Sequence, residues 1–266
     1  MGKPSTLQLP NVKHEHIDDP VAAYDQLASR YAELSRRREP YLRAVESCIQ
    51  QRVPSGSRSM LDIGAGDGTR ALRIAAASAI KHVILLEPSA GMARLVSQES
   101  EVWPIRAEEL DSAALSERFD VITCLWNVLG HVRREESRAR AVANIARMLS
   151  PEGKFFLDVN HRYNVRAYGV PQTAARWIGD KIIDGETRGD VTANWRTGES
   201  TISTHGHVFT DGEVMRLAQA AGLALDERIV IDYEDGRVRR WSILGNLLYI
   251  FRPNSPMDSS SVPQTV

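Results

Sequence analysis

The sequence predicts an α/β fold, a doubly wound and mostly parallel seven-stranded sheet, and three observations carry that prediction. Short β-rich apolar runs alternate with amphipathic stretches of helical period. A glycine-rich loop, Gly64-Ala65-Gly66-Asp67-Gly68, separates the first such run from the first such helix. Near-continuous apolar runs such as His82 to Leu86 suit strands buried on both faces, as parallel sheets require.

Each element has its local reason. Residues 1 to 19 lack periodicity, and their His14-Glu15-His16 cluster reads as solvated polar side chains, so this stretch is expected to be a flexible arm. From Pro20, the apolar positions Val21, Tyr24, Leu27, Tyr31 and Leu34 recur at steps of three and four, and Tyr41, Leu42, Val45 and Ile49 repeat the pattern. Both stripes fit N-terminal helices packed on the sheet. Tyr31, just ahead of the glycine loop, is either part of that packing or a residue that closes over a ligand.

Strands follow at Ser59 to Ile63, His82 to Leu86, Val102 to Ala107, Phe119 to Leu125 and Lys154 to Val159, with a helix over Arg134 to Ser150. Between His161 and Phe209 the alternation stops. Extended pieces at Lys181 to Asp184, Asp190 to Trp195 and Thr201 to Phe209 predict an antiparallel lid inserted over 161 to 209. The capping box Thr210-Asp211-Gly212-Glu213 restarts a helix, and Leu223 to Tyr233 and Leu244 to Phe251 close the sheet. The domain therefore spans 20–253, and Pro, Ser and Gln dominate a disordered tail over 254–266.

Composition narrows the function classes. The 266 residues carry 33 basic and 34 acidic side chains, a net charge of -1, which argues against nucleic acid as the main partner. No apolar run approaches the ~20 residues of a membrane span. Cys48 and Cys124 sit in apolar surroundings, as buried reduced thiols of a cytoplasmic protein would. A homodimer is compatible with the sequence, which carries no sign for or against it.

The loop itself discriminates between ligands. Thr69 stands where a dinucleotide fingerprint has its last glycine, which supports close packing under a pyrophosphate. Asp62 and Asp67 line the junction with negative charge, which suits a ligand with a positive centre better than a phosphate. Glu87, at the next strand end, is placed to accept hydrogen bonds from ribose hydroxyls.

With these residues the chain resembles the class I S-adenosylmethionine-dependent methyltransferases of small-molecule type. The likeness rests on Leu61-Asp62-Ile63-Gly64-Ala65-Gly66-Asp67-Gly68, Leu86-Glu87-Pro88-Ser89 with Met92, Phe119-Asp120-Val121-Ile122 and Leu149-Ser150-Pro151-Glu152-Gly153-Lys154. It implies a Rossmann-like sheet and S-adenosyl-L-methionine as cofactor. It further implies that Asp62 and the loop hold the methionine end, Glu87 the ribose, and the Ala107-Glu108 region the adenine. Arg106 stands where the family often has Asp, so the adenine contact falls to Glu108 or to a backbone carbonyl. The cofactor set is then Tyr31, Asp62, Gly64, Ala65, Gly66, Glu87, Pro88, Met92, Ala107, Glu108 and Leu125.

The acceptor side is read from the next strand ends. His131 is either the general base or a structural partner that shapes the pocket. Trp126, Asn127, Asn160, His161, Arg162 and Tyr163 are the acceptor candidates, the segment after Asp158 being similar to the polar one of glycine and sarcosine N-methyltransferases. Asp158-Val159-Asn160 interrupts the adjacent Asp-Asn pair of metal-dependent catechol-type enzymes, and His205-Gly206-His207 lacks further ligands, so no metal is expected. Two rivals stand beside methyl transfer to nitrogen or oxygen of a small molecule: an NAD(P)-dependent oxidoreductase and a non-catalytic binding module on the same fold.

Overall fold

Strand and helix boundaries follow caps and breakers along the chain. A computed structural model describes residues 13–110, 116–182, 185, 187–197 and 200–254. The elements are β1 (Lys13–Ile17), α1 (Pro20–Leu27), α2 (Tyr31–Arg36), α3 (Glu39–Gln50), β2 (Ser59–Ile63), α4 (Thr69–Ala77), β3 (His82–Leu86), α5 (Ala90–Ala93), β4 (Glu101–Trp103), β5 (Phe119–Cys124), α6 (Glu135–Met148), β6 (Leu149–Val159), α7 (Val165–Tyr168), α8 (Val170–Ile182), β7 (Asp190–Thr197), β8 (Ser200–His207), α9 (Asp211–Ala220), β9 (Leu223–Ile231), β10 (Val238–Arg239) and β11 (Asn246–Pro253). Asp19 caps α1 by accepting from the Val21 amide at 3.2 Å, with Pro20 in the first helical turn. Thr210 and Glu213 form the expected capping box on α9.

The main sheet has the order β10-β9-β11-β6-β5-β2-β3-β4. Strands β4, β3, β2, β5 and β6 run parallel, and β11 is antiparallel to both β6 and β9. Strand order reverses beside β2, where β3 lies on one side and β5 on the other. Ligands of open α/β sheets bind at the carboxyl ends of such strands. The sheet has eight strands rather than seven, because the two-residue β10 pairs with the end of β9.

Both faces are covered. Leu61, Ile122, Phe155 and Leu157 pack against Ala141, Ile145 and Met148 of α6 and Val214 of α9, while Met60, Val121, Phe156 and Leu248 pack against Val45 and Ile49 of α3 and Ile74 of α4. Full burial of each large side chain is worth about 1.5–3 kcal/mol. Cys48 and Cys124 are both buried and free. No helix among the described residues is long and apolar enough to cross a membrane.

Two further expectations change. Lys13–Ile17, assigned to a flexible arm, is an edge strand parallel to β8, giving the small sheet β1-β8-β7. The pairing is fixed by Ser203 Oγ, which donates to the Glu15 carbonyl at 3.2 Å, and by Ile17, which packs with Ala23, Leu27 and Ile202. Residues 1–12 and the tail from 255 lie outside the described residues. The first half of the lid is helical instead of extended: α7 starts where Asn164 accepts from the Arg166 and Ala167 amides at 3.1 and 3.2 Å, and Lys181 and Ile182 end α8. Only the second half is the antiparallel pair β7-β8.

Candidate active site

The loop after β2 takes its shape from glycine. Gly64 and Gly66 have φ of +67° and +63°, and a Cβ on Gly66 would come within 3.0 Å of the Tyr31 hydroxyl. Tyr31 thus lies against the bare backbone of the loop. Opposite it, Glu87 accepts the Gly66 amide at 2.7 Å on one carboxyl oxygen and the Ser89 amide at 2.8 Å on the other. Burial pushes the Glu87 carboxyl up to about 7 against those two bonds.

Beneath the loop lies a buried ion cluster. Asp62 accepts from Thr123 Oγ1 at 2.5 Å, and burial pushes it up to about 6, with Arg70 and Thr123 pulling the other way. Arg70, in the first turn of α4, is 8% exposed, and its Nη1 is buried with no hydrogen-bond partner. Its guanidinium lies 5.6 Å from the Trp126 ring. An unsatisfied buried cation at the rim of a cleft is costly in isolation and invites an anionic ligand.

The chain after β5 is bent by two consecutive left-handed residues, Trp126 and Asn127, at φ +57° and +62°. Non-glycine residues keep that conformation only where neighbours over-determine it. The Trp126 amide donates to Asp158 Oδ2 at 2.9 Å and the Asn127 amide to the Asp158 carbonyl at 3.0 Å. The Asn127 side chain is tied at both ends, to the His207 carbonyl at 3.1 Å and the Asn160 amide at 2.9 Å. Tyr41 donates its hydroxyl to Asp158 Oδ1, completing the clamp.

One turn further on, His131 faces Tyr24. Its Nδ1 lies 3.0 Å from the His205 carbonyl, which can only accept, so Nδ1 carries the hydrogen and Nε2 accepts from the Tyr24 hydroxyl at 3.2 Å. Burial lowers His131 to about 4 and pushes the Tyr24 hydroxyl well up. The pair is neutral at physiological pH.

These groups line two adjoining spaces. The first holds Tyr24, Tyr31, Gly64, Gly66, Arg70, Glu87, Pro88, Arg106, Ala107, Glu108, Leu125, Trp126 and His131. The second, under the lid, holds Tyr24, Tyr31, Trp126, Asn127, His131, Asn160, Tyr168, Arg176, Trp195 and Tyr233. Tyr24, Tyr31, Trp126 and His131 belong to both.

A sequence profile described as a methyltransferase domain matches residues 26–228. The chain belongs to this methyltransferase family. It is 29% identical over 173 residues, 65% of this chain and 61% of the relative, to a dTDP-4-amino-2,3,4,6-tetradeoxy-D-glucose N,N-dimethyltransferase of Saccharopolyspora spinosa. The match thus spans about three fifths of that relative's length. It is 26% identical over 223 residues, 80% of this chain and 86% of the relative, to a ubiquinone biosynthesis O-methyltransferase of Thiobacillus denitrificans. Its fold is similar to that of an amino pentose methyltransferase from Micromonospora echinaspora solved with S-adenosylmethionine bound, with a TM-score of 0.55, 20% identity and coverage of 85% of this chain and 96% of the other. These relatives bear out the class I resemblance and the Rossmann-like sheet, and lend nothing to the narrower likeness to glycine and sarcosine enzymes.

In this methyltransferase, Tyr31, Gly64, Gly66, Glu87, Pro88, Ala107, Glu108 and Leu125, all expected at the cofactor, line the first space. Asp62, Ala65 and Met92 do not: all three are buried, Asp62 on Thr123 and Met92 behind Tyr31. Arg106 turns to Asp19, meeting both carboxylate oxygens at 2.7 Å, and so fastens α1 beside the cleft. On the acceptor side, Trp126, Asn127 and Asn160 line the second space.

His161, Arg162 and Tyr163 are not among the residues lining either space, because each is committed to holding the lid. His161 Nδ1 donates to the Ser242 carbonyl at 2.9 Å, Arg162 meets Asp180 at 2.9 Å and Glu213 at 2.6 Å, and Tyr163 donates to Asp180 at 2.6 Å. Among the described residues, no group of three or more His, Cys, Asp or Glu is placed to hold a metal. Sequence pattern does not single out Arg70, Tyr168, Arg176, Trp195 or Tyr233. Arg70 alone carried a signal, a cation directly after the glycine loop.

Proposed function

We propose that this methyltransferase transfers a methyl group from S-adenosylmethionine to nitrogen or oxygen of a small-molecule acceptor. The observation that carries the reading is the shared wall of Tyr24, Tyr31, Trp126 and His131 between the cleft at the glycine loop and a second pocket under the lid. Two ligands lodged there meet at one place, and alignment of that kind is worth several orders of magnitude in rate.

The residues present fit the cofactor. Arg70, with a buried nitrogen lacking a partner, would pair with the carboxylate of the methionine end. The glycines leave room for close approach along the loop, and Glu87 retains lone pairs for the ribose hydroxyls beside its two amide bonds. Ala107 and Glu108 would border the adenine. When bound, S-adenosylmethionine supplies an electrophilic methyl on a sulfonium.

The protein's own part is to orient and to hold protons. The Tyr24 hydroxyl donates to His131 Nε2, so the dyad presents the phenol oxygen as an acceptor to a nucleophile's N–H or O–H. With His131 depressed to about 4, its role is to orient Tyr24 and accept a hydrogen bond, and it stores a proton poorly. Trp126 and Tyr31 line the junction of the two spaces. The activities of the two relatives, on an amino sugar and in ubiquinone biosynthesis, support a small-molecule acceptor nitrogen or oxygen. The balanced charge and free buried cysteines favour a cytoplasmic setting without nucleic-acid or membrane partners.

The test is calorimetry with S-adenosylhomocysteine, followed by a screen of amines, phenols and amino sugars with labelled methyl donor. Micromolar binding and label transfer are expected. Failure to bind the nucleoside, or cofactor reduction with NAD(P), overturns the reading, and binding without any turnover leaves the non-catalytic module as the better description.

A further inference from the structure

We propose that the acceptor carries an anionic group, a carboxylate or a phosphate ester, which Arg176 on α8 receives under the lid. This rests on the methyl-transfer reading and names the acceptor's charge. Among the described residues lining the second pocket, no Asp or Glu occurs, and Arg176 is the one charged side chain, His131 being neutral. The polar remainder, Asn127, Asn160, Gln172, Thr192 and Asn194, is uncharged. A cationic acceptor would find no counter-charge there, whereas an anion would find one.

Arg176 is also held ready. Its guanidinium carbon sits 4.1 Å from the centre of the Tyr168 ring, and Nη1 donates to the Arg162 carbonyl at 3.4 Å. Neither contact neutralises it, and no ion pair joins it to a carboxylate among the described residues. Arg162, on the same lid, differs: it is buried between Asp180 and Glu213 and has no charge to spare. The planar fork of a guanidinium matches the two oxygens of a carboxylate or phosphate. Arg176 lines the acceptor pocket and is absent from the lining of the cofactor cleft. Anchoring there leaves the other end of the acceptor, with its nucleophile, facing Tyr24 and His131, while Trp126, Trp195 and Tyr233 flank a flat body between.

Trp126 and Trp195 report on the pocket by their emission. Protein saturated with S-adenosylhomocysteine is titrated with three probes of one shape: benzoate, phenyl phosphate and benzamide. At least one anion is expected to bind about tenfold or more tightly than benzamide, and the tighter of the two names the source of the charge. Arg176→Met removes the preference and leaves the nucleoside affinity unchanged, while Arg176→Lys restores part of it, which a purely packing role on Tyr168 would not do. Equal binding of all three probes, binding of none, or a preference that survives Arg176→Met overturns the inference. If Arg176→Met fails to fold, the wild-type comparison alone decides. Loss of S-adenosylhomocysteine binding itself would instead strike the methyl-transfer reading.

Discussion

Asp158 at the end of β6 holds Trp126 in a left-handed backbone conformation by accepting its amide at 2.9 Å, while its other carboxyl oxygen accepts the Tyr41 hydroxyl. One buried side chain therefore sets one of the four residues that both pockets share. Asp158→Asn replaces one acceptor oxygen by a donor and leaves one of these partners unsatisfied. The expected cost is roughly 1–3 kcal/mol of stability, read as a lower midpoint in urea unfolding, together with a loss of turnover. An unchanged midpoint with normal turnover would show that Trp126 does not need the clamp.

If Glu87 holds the ribose, as proposed, it gives the cofactor affinity a pH dependence. Its carboxyl sits at about 7 in the folded protein against an ordinary value of 4.5, with burial as the main cause. Ribose hydroxyls donate to the ionised form, so binding favours deprotonation. S-adenosylhomocysteine affinity should therefore weaken below pH 7, by up to about tenfold per pH unit, and level off above it. For the free protein the sign is reversed: a raised carboxyl costs stability that grows as pH climbs from 4.5 through about 7. Calorimetry between pH 5.5 and 8.5 checks this, and a Glu87→Gln variant with the same pH profile would assign the effect elsewhere.

Tyr24 and His131 should act as one unit. Tyr24→Phe and His131→Asn are each expected to lower turnover by about 10²-fold, and the double variant by little more than either alone. Because burial holds His131 at about 4, the wild-type rate should show no limb from imidazole between pH 5.5 and 7.5. Additive losses in the double variant, or such a limb that vanishes in His131→Asn, would contradict the geometry.

Arg70 should matter for one end of the cofactor only. Arg70→Met is expected to weaken S-adenosylhomocysteine by about 10–100-fold, the worth of a charge-assisted contact. 5′-Methylthioadenosine, which lacks the amino-acid end, should bind both proteins alike. Equal losses for both nucleosides would mean that Arg70 supports the loop and touches no carboxylate.

The sequence made the sheet and the cofactor side legible because both obey local rules. Strand runs, the glycine loop and the capping box at Thr210 are each fixed by neighbours in sequence, and the residues at strand ends inherit their place from the fold. The lid was harder. Val170, Trp177, Ile178 and Ile182 recur at helical spacing on α8, yet this face points to solvent, so the stripe marks no core. Polar side chains after Asp158 looked like acceptor contacts, but Arg162 and Tyr163 meet Asp180 from a helix whose position no short-range pattern announces. Arg176 on α8, Trp195 on β7 and Tyr233 in the turn after β9 reach the pocket from three separate segments, which only the tertiary fold brings together.

The early strand β1 ties the chain's first helix to the lid through β8, while Asp25 on that helix accepts from Ser89 Oγ and the Gly91 amide at 2.6 and 2.7 Å, beside the cofactor cleft. Helix α1 is thus tethered to both chambers and contributes Tyr24 to their common partition. Swinging it aside far enough to discharge a spent nucleoside would unroof the methylated product in the same stroke. If the nucleoside leaves past α1, exchange at one chamber and exchange at the other would be a single mechanical event, timed by the latches on α1.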